Sequence, residues 1–245
     1  MRQIEIANND LEKSKIKKLH RYNFFSVIDH DMRNPFNALL GYSEFLSKSA
    51  RQLNPKEVQQ LAATIHKSAD LIFRLYENLI QWTKLQMELF EFMPEKISLN
   101  RIVDNAVNKF LNYAFTKRIR IENHLENNIY IYTDPDAVNI VFSNLLANAI
   151  KFTMPGGTVQ IIGSMNKEFY ELNVLDEGIG MEEEDLKLLL VDEEFYRKEG
   201  TAKEIGLGIG LKLCKEIIEK TGGKIKVESK KNEGSNFTVT FPISN

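Results

Sequence analysis

The feature that most constrains the fold is a heptad-like run of apolar residues in the first third of the chain. Apolar side chains alternate there at intervals of three and four, with one interruption at Ser68. This spacing predicts a helix with one apolar stripe. Asn54-Pro55, just before the run, is typical of a helix N-cap followed by the first helical residue. The stripe consists of Val58, Leu61, Ile65, Ile72, Leu75, Leu79 and Trp82.

A second amphipathic helix is predicted upstream, within residues 24–46, and residues 49–55 interrupt the pattern between the two helices. Two helices joined by a short turn form an antiparallel hairpin. A single hairpin leaves each apolar stripe half covered, so two copies are expected to pair as a dimeric four-helix bundle. The upstream stripe consists of Phe25, Ile28, Met32, Leu39, Tyr42 and Leu46.

His30 is the candidate nucleophile of this hairpin. At about 100° per residue, its side chain points away from the stripe that contains Ile28 and Met32. Taken alone, an exposed histidine favours the simpler interpretation of a solvated polar face, because surface histidines are common. However, the string His30-Asp31-x-Arg33-Asn34-Pro35 resembles the H-box of sensor histidine kinases, and the resemblance continues along nearly the whole chain.

The resemblance implies that a nitrogen of His30 attacks the γ-phosphorus of ATP. Adjacent Asp31 would accept the proton of the other ring nitrogen, as a general base does. Asp31 and Asn34 also match the acid-x-x-Thr/Asn pattern that in this family positions water to dephosphorylate a receiver domain. His30, Asp31 and Asn34 are therefore the catalytic candidates.

Composition narrows the class of protein. The chain has 245 residues, a formal net charge of −2 and no long basic run, which argues against nucleic acid as a partner. One cysteine, Cys214, excludes an internal disulfide and is interpreted as a core thiol on a helix. The most apolar helix-like stretch, residues 137–152, contains Asn144, Asn148 and Lys151, so no membrane segment is expected. We predict a cytoplasmic chain, or the cytoplasmic part of a longer membrane-bound sensor.

Three regions are predicted. Residues 1–20 form a helical signalling stalk or a frayed leader, and residues 21–88 form the dimerisation and histidine phosphotransfer hairpin. Residues 89–245 form a catalytic ATP-binding domain. In that domain Ser98 can cap a helix, and short alternating stretches are mixed with helices without strict alternation. This pattern favours an α+β two-layer sandwich, with one sheet covered by helices on one face.

A helix that begins after Asp134-Pro135 carries a polar group of three residues: Asn144, Asn148 and Lys151. They lie within about 60° of one another around the helix axis. Spacing alone is equally compatible with a water-facing stripe. The string NLLANAIKFT resembles the N-box of the same kinases, which implies that Asn144 and Asn148 hold Mg²⁺ and the ATP phosphates. Lys151 would offset the phosphate charge.

Asp176 is predicted to lie at the buried end of a strand, because Tyr170, Leu172 and Val174 share its face by the period-two rule. A buried carboxylate there needs a hydrogen-bond donor. The string Asp176-Glu177-Gly178-Ile179-Gly180 resembles the DxGxG box of the family, in which the aspartate accepts from the adenine amine. Gly178 and Gly180 would let the backbone approach the nucleotide.

Residues 190–206 are predicted to form a mobile lid over the nucleotide. Phe195 resembles the F-box phenylalanine. Arg197, Lys198 and Lys203 are candidates to meet the γ-phosphate, although a charged surface loop explains them as well, and Thr201 is a further nucleotide-binding candidate.

A glycine-rich string follows the lid and opens a helix that runs to about Lys220. It contains Gly206, Gly208 and Gly210, whose backbone N–H groups would face phosphate. The family string is GTGLGL, so Leu207 replaces a threonine. Gly234-Ser235-x-Phe237 resembles the final glycine box of the family.

Together these motifs predict an Mg²⁺-dependent, ATP-dependent autophosphorylation on His30. The phosphoryl group would then pass to an aspartate of a response regulator, and phosphatase activity toward that regulator is a further expectation. The alternative is a catalytically silent scaffold that binds ATP or a receiver domain, which Leu207 and the atypical lid favour. A gyrase-type ATPase is disfavoured, because Asn144 stands where those enzymes carry an acid that activates water.

Overall fold

The computed structural model describes residues 32–87, 90–166, 168–190, 198–202, 208 and 210–243. The chain divides into two compact units, Met1–Thr83 and Lys84–Asn245, and the boundary predicted from sequence followed residue 88. The predicted stalk and several site candidates lie outside the described residues: His30, Asp31, Phe195, Arg197, Lys203 and Gly206.

The first unit contains two helices, α1 (32–49) and α2 (Pro55–Gln86). The turn between them closes with a hydrogen bond from Gln52 N to Ser49 O (2.8 Å). Asn54 and Glu57 form a capping box: Glu57 N donates to Asn54 Oδ1 at 3.0 Å, and Asn54 N donates to Glu57 Oε2 at 2.8 Å. The predicted N-cap is therefore confirmed, and it sets where α2 begins.

The helices of this unit bury only part of their apolar surface. Leu75 and Trp82 are 4% and 5% exposed. Ser68, which interrupts the stripe, is also buried, and its hydroxyl donates to Thr64 O at 3.0 Å. By contrast, large apolar side chains are exposed along both helices: Phe36, Leu40, Tyr42, Phe45, Phe73 and Tyr76.

The second unit is an α+β domain, as predicted. The strands are β1 (Glu95–Ser98), β2 (Arg120–Asn123), β3 (Tyr130–Thr133), β4 (Thr158–Met165), β5 (Phe169–Asp176), β6 (Ile225–Lys230) and β7 (Gly234–Pro242). Five of them form a sheet in the order β2-β4-β5-β7-β6, antiparallel except for the parallel pair β2 and β4, and β1 and β3 form a separate antiparallel pair. The helices are α3 (Leu99–Thr116), α4 (Pro135–Phe152), α5 (Glu183–Leu190) and α6 (Gly210–Lys220).

Helices α3, α4 and α6 share one core with the sheet. Strand β5 alternates buried and half-buried residues along its whole length, as period two requires. Phe237, Val239 and Phe241 of β7 point into the core, and Cys214 of α6 is fully buried, both as predicted. On the other side of the sheet, Thr238 Oγ1 donates to Asn173 Oδ1 at 2.7 Å.

Local caps explain where the helices begin and end. Ser98 is the N-cap of α3, and Asp134 is the N-cap of α4, with Asp134 Oδ1 accepting from Ala137 N at 2.9 Å. Helix α6 ends where Gly222 takes a φ of +77°, as a C-terminal glycine commonly does. Among the described residues, no helix is long and apolar enough to cross a membrane.

Candidate functional site

Helix α4 forms one wall of the core and one wall of the candidate site. Its buried side includes Val141, Phe142, Leu145 and Ala149, each at most 1% exposed. The predicted polar residues lie between them and are half buried: Asn144, Asn148 and Lys151. The hydrophobic effect that seats α4 on the sheet therefore also fixes the direction of its polar side.

Asn144 meets the beginning of α6. Its Nδ2 donates to Ile140 O at 2.9 Å, which leaves the amide oxygen directed elsewhere. A Cβ atom at Gly210 would lie 2.6 Å from that oxygen, so a side chain at position 210 would force the amide of Asn144 or the helix to shift. The N-terminal N–H groups of α6 and an amide oxygen thus border the same space. Oxygen ligands suit Mg²⁺, and a helix N-terminus suits phosphate, so the residues present fit both groups.

Asp176 ends β5 as a buried carboxylate that is 7% exposed, which confirms its predicted burial. Its Oδ1 accepts from Gly178 N at 2.9 Å, and the backbone of Ser235 also donates to it. Burial raises the pKa of Asp176 to about 7, while the two backbone hydrogen bonds oppose that shift. A carboxylate with lone pairs left over in such surroundings favours a ligand with N–H donors, such as an exocyclic amine.

The turn after β5 is held on two sides. Gly180 has a φ of +59°, and a side chain there would overlap the carbonyl group of Lys230. On the other side, Ile179 N donates to Phe152 O at 3.2 Å, at the end of α4. Asp176 and the polar side of α4 are therefore fixed relative to each other by backbone contacts.

Two predicted phosphate-binding cations have protein partners. Lys151 Nζ donates to Lys198 O at 2.9 Å and lies 4.6 Å from the centre of the Phe152 ring. Lys198 Nζ pairs with Asp185 Oδ2 on α5 at 2.9 Å. Sequence patterns did not reveal this pair, because α5 had not been predicted.

The structure brings most of the described candidates to one region around the end of α4 and the start of α6: Asn144, Asn148, Lys151, Asp176, Gly178, Gly180, Lys198, Thr201, Gly208 and Gly210. Asn34 is exposed on α1 in the other unit. The nucleotide and metal roles of all these residues stay predictions. Among the described residues, no cluster of three or more His, Cys, Asp or Glu side chains is arranged as a metal site.

Two residues that hold the elements around the candidate site were not predicted from the sequence. Ser229 Oγ accepts from Met181 N at 3.0 Å and so ties the turn after β5 to β6. Lys117, which is 6% exposed, reaches the end of α4. Lys117 stands beside Arg118 and Arg120 in the sequence, and nothing in that basic run indicates which cation is buried.

Two family models match the chain. Residues 20–88 match the His Kinase A (phospho-acceptor) domain, and residues 133–245 match the histidine kinase-, DNA gyrase B-, and HSP90-like ATPase. They cover the predicted phosphotransfer hairpin and most of the predicted ATP-binding domain, and they confirm both domain types.

Known proteins of similar sequence and fold agree with the models. The sensor protein KdpD of Clostridium acetobutylicum is 28% identical over 97% of this chain and 27% of its own length. The sensor histidine kinase WalK of Bacillus subtilis is 28% identical over 98% of this chain and 39% of its own length. The chain thus spans well under half the length of these curated relatives.

Among solved structures, the Acinetobacter baumannii histidine kinase AdeS is 21% identical and superposes with a TM-score of 0.67, covering 88% of this chain and 98% of that chain. It shows the same fold. With the acceptor and ATPase domains both matched in order, the chain belongs to the sensor histidine kinases of two-component systems.

Proposed function

We propose that this chain phosphorylates itself on His30 with ATP and passes the phosphoryl group to an aspartate of a response regulator. The observation that carries the proposal is the juxtaposition around α4. A buried carboxylate suited to adenine, an asparagine oxygen and a helix N-terminus suited to phosphate border one region of the second unit. The H-box string supplies the acceptor in the same chain.

The reaction would form one bond and break one bond. A ring nitrogen of His30 donates its lone pair to the γ-phosphorus, and the bond between that phosphorus and the bridging oxygen breaks. The bonding electrons leave with ADP. Asp31 would hold the proton of the other ring nitrogen. Such chemistry asks the protein mainly to align the reactants and to balance charge.

Within the second unit, Asp176 would orient the adenine through its exocyclic amine. Asn144 and Asn148 would hold Mg²⁺, which neutralises phosphate charge when bound. Lys151 lies one helical turn beyond Asn148 and would offset charge near the γ-phosphate. An amide at position 144 cannot take a proton from water, which favours transfer to histidine over hydrolysis.

Transfer to the receiver would return the nitrogen-bound phosphoryl group to a carboxylate oxygen. We further propose that Asp31 and Asn34 position water to dephosphorylate the same receiver. In support, Asn34 is exposed on α1, where a docked partner can reach its amide.

We propose that the functional unit is a homodimer whose hairpins pair as a four-helix bundle. The exposed apolar side chains of α1 and α2 support this pairing, since Leu40 is 60% and Phe73 is 57% exposed. The reaction would take place in the cytoplasm, where ATP and receiver domains are found. A light-scattering mass of one chain at micromolar concentration would contradict the dimer.

The decisive experiment incubates the chain with Mg²⁺ and γ-labelled ATP and scores acid-labile, base-stable label on the protein. Wild type is expected to be labelled and His30→Gln to remain unlabelled. His66→Gln is the matched control, because His66 is an exposed histidine on α2. An unlabelled wild-type chain that still binds ATP would replace the kinase proposal with the scaffold alternative.

A further inference from the structure

Lys117 is a buried cation at the junction of two helix ends. It is the C-cap residue of α3, where its backbone N–H donates to Ala114 O at 3.1 Å. The residue is only 6% exposed. Lysine is seldom buried to this extent unless its ammonium group has hydrogen-bond partners, because desolvating the charge is costly.

The partners of Lys117 lie on α4 and on the segment 198–202. Its Nζ donates to Ile150 O at 2.7 Å and to Lys151 O at 2.8 Å, both in the last turn of α4. The C-terminal end of a helix dipole favours a cation at this position. Nζ also donates to Thr201 Oγ1 at 2.7 Å, so one ammonium group joins two parts of the candidate site.

Thr201 completes the connection with further hydrogen bonds of its own. Its hydroxyl donates to Thr153 O at 2.7 Å, and its backbone N–H donates to Lys151 O at 3.1 Å. At the other end of the segment, Lys198 O accepts from Lys151 Nζ at 2.9 Å. The segment is therefore fastened to α4 at both ends, and the Lys151 ammonium is fastened with it.

We infer that Lys117 and Thr201 are positioning residues of the nucleotide site, which place Lys151 and the segment 198–202 for contact with the triphosphate. This assigns the Thr201 hydroxyl a role inside the protein instead of the nucleotide contact predicted from sequence. The inference rests on the proposed ATP-binding function. We call Lys117, Thr201 and the carbonyl groups of Ile150, Lys151 and Thr153 the buried anchor.

The anchor should affect the two halves of the nucleotide unequally. Asp176, the proposed adenine partner, is held by Gly178 and Ser235, and the anchor makes none of those contacts. Lys151 and residues 198–202 lie instead at the end of α4, where phosphate is expected. Loosening the anchor should therefore weaken the binding of ATP more than the binding of AMP. A general loss of folding would weaken both equally.

The test is isothermal titration calorimetry with ATP and with AMP on the whole chain, in a His30→Gln background that leaves ATP intact. Thr201→Val removes the hydroxyl and keeps the shape. It is expected to weaken ATP binding about tenfold, because a hydrogen bond to a buried charge is lost, with AMP binding changed by less than about twofold. Thr201→Ser, which restores the hydroxyl, should bind ATP as the parent does.

Thr221→Val is the matched control, since the Thr221 hydroxyl also donates to a helix-end carbonyl, Ile218 O at 2.9 Å, but on α6. It should leave the affinity for both nucleotides unchanged. Lys117→Met combined with Thr201→Val should cost no more ATP affinity than the larger single effect, because both changes break one network.

An unchanged ATP affinity in Thr201→Val, or equal losses for ATP and AMP, would overturn the inference and leave the proposed function intact. A parent chain that binds no ATP would overturn both. Folding is checked by thermal denaturation, and Thr201→Val carries the test by itself if Lys117→Met does not fold.

Discussion

The two units of this chain differ in how much of their apolar side-chain surface is exposed. The sheet domain has an extensive core, in which Phe142, Leu145 and Leu172 are fully buried, although Phe115 at its surface remains exposed. The hairpin leaves Phe45 half exposed and Leu40 60% exposed. The sheet domain therefore has its own core, whereas the described part of the hairpin leaves apolar surface that the proposed dimer would cover. Ligand binding should therefore depend on the sheet domain, and association should depend on the hairpin.

The largest effect is expected from a substitution at Asp176, which should weaken nucleotide binding and leave dimerisation unchanged. Asp176→Asn keeps the size of the side chain but places an amide where the adenine amine needs an acceptor. We expect nucleotide affinity to fall about a hundredfold, measured by calorimetry, because a charged hydrogen bond is lost. The mass by light scattering should stay that of the parent. A loss of association in Asp176→Asn would contradict the division of labour between the units.

The same residue gives a pH dependence of stability. The pKa of Asp176 is raised from 3.8 to about 7 by burial, so between those values the folded chain holds a proton that the unfolded chain has released. The nucleotide-free protein should lose stability as the pH rises through this window. Asp176→Asn should flatten the dependence, measured as melting temperature against pH. If the melting temperature of the variant depends equally steeply on pH, a group other than Asp176 causes the dependence.

The next effect concerns association alone. Phe45→Glu places a charge in the proposed bundle interface and should weaken dimerisation about thirtyfold. The dissociation constant is measured by light scattering over a dilution series. Phe115→Glu is the matched control, because Phe115 is 83% exposed on α3 of the sheet domain. It should leave the dimer intact. Equal effects of the two substitutions would remove the contrast between the units.

A smaller effect is expected at the start of α6. A methyl group at position 210 would lie 2.6 Å from the amide oxygen of Asn144, so Gly210→Ala must push α4 and α6 apart or turn the asparagine. We expect ATP affinity to fall about tenfold, with association unchanged. Gly41→Ala on α1, where a Cβ meets nothing within 4 Å, is the control. Parent-like ATP binding in Gly210→Ala would contradict the proposal that Asn144 and the start of α6 contact ATP.

The smallest effect returns to the hairpin. Asn54→Ala removes the N-cap of α2 and should cost about 1 kcal/mol in the free energy of unfolding of that unit. Hydrogen exchange measured at increasing denaturant should show the lower stability in α2 and no change in β5. Asn112→Ala, an exposed substitution on α3, is the control and should be close to neutral. A loss spread evenly over both units would mean that they unfold together.

Local signals predicted much of this fold because they act within a few residues. Asn54, Ser98 and Asp134 mark helix starts through their own hydrogen bonds, and alternation along residues 169–176 reveals a half-covered strand. The polar side of α4 could likewise be deduced from spacing. These features need no knowledge of what lies far away in sequence.

Long-range pairing could not be predicted in the same way. Nothing in residues 120–123 indicates that β2 runs parallel to β4, because alternation does not specify a neighbour. The ammonium of Lys198 pairs with Asp185, and the ammonium of Lys117 reaches Thr201 across 84 positions of sequence. Pairings of this kind are recognised only when the acceptors from separate segments are seen together.

The two roles of helix α4, in the core and at the candidate site, limit which substitutions it can accept. Eight of its residues are buried against the core, and three more form the polar side that faces the candidate site. Nearly every turn of this helix therefore meets either a packing constraint or a chemical one. In a saturation library, α4 should be the least tolerant of the described helices, and damage to its apolar side should appear as lost nucleotide binding before it appears as unfolding.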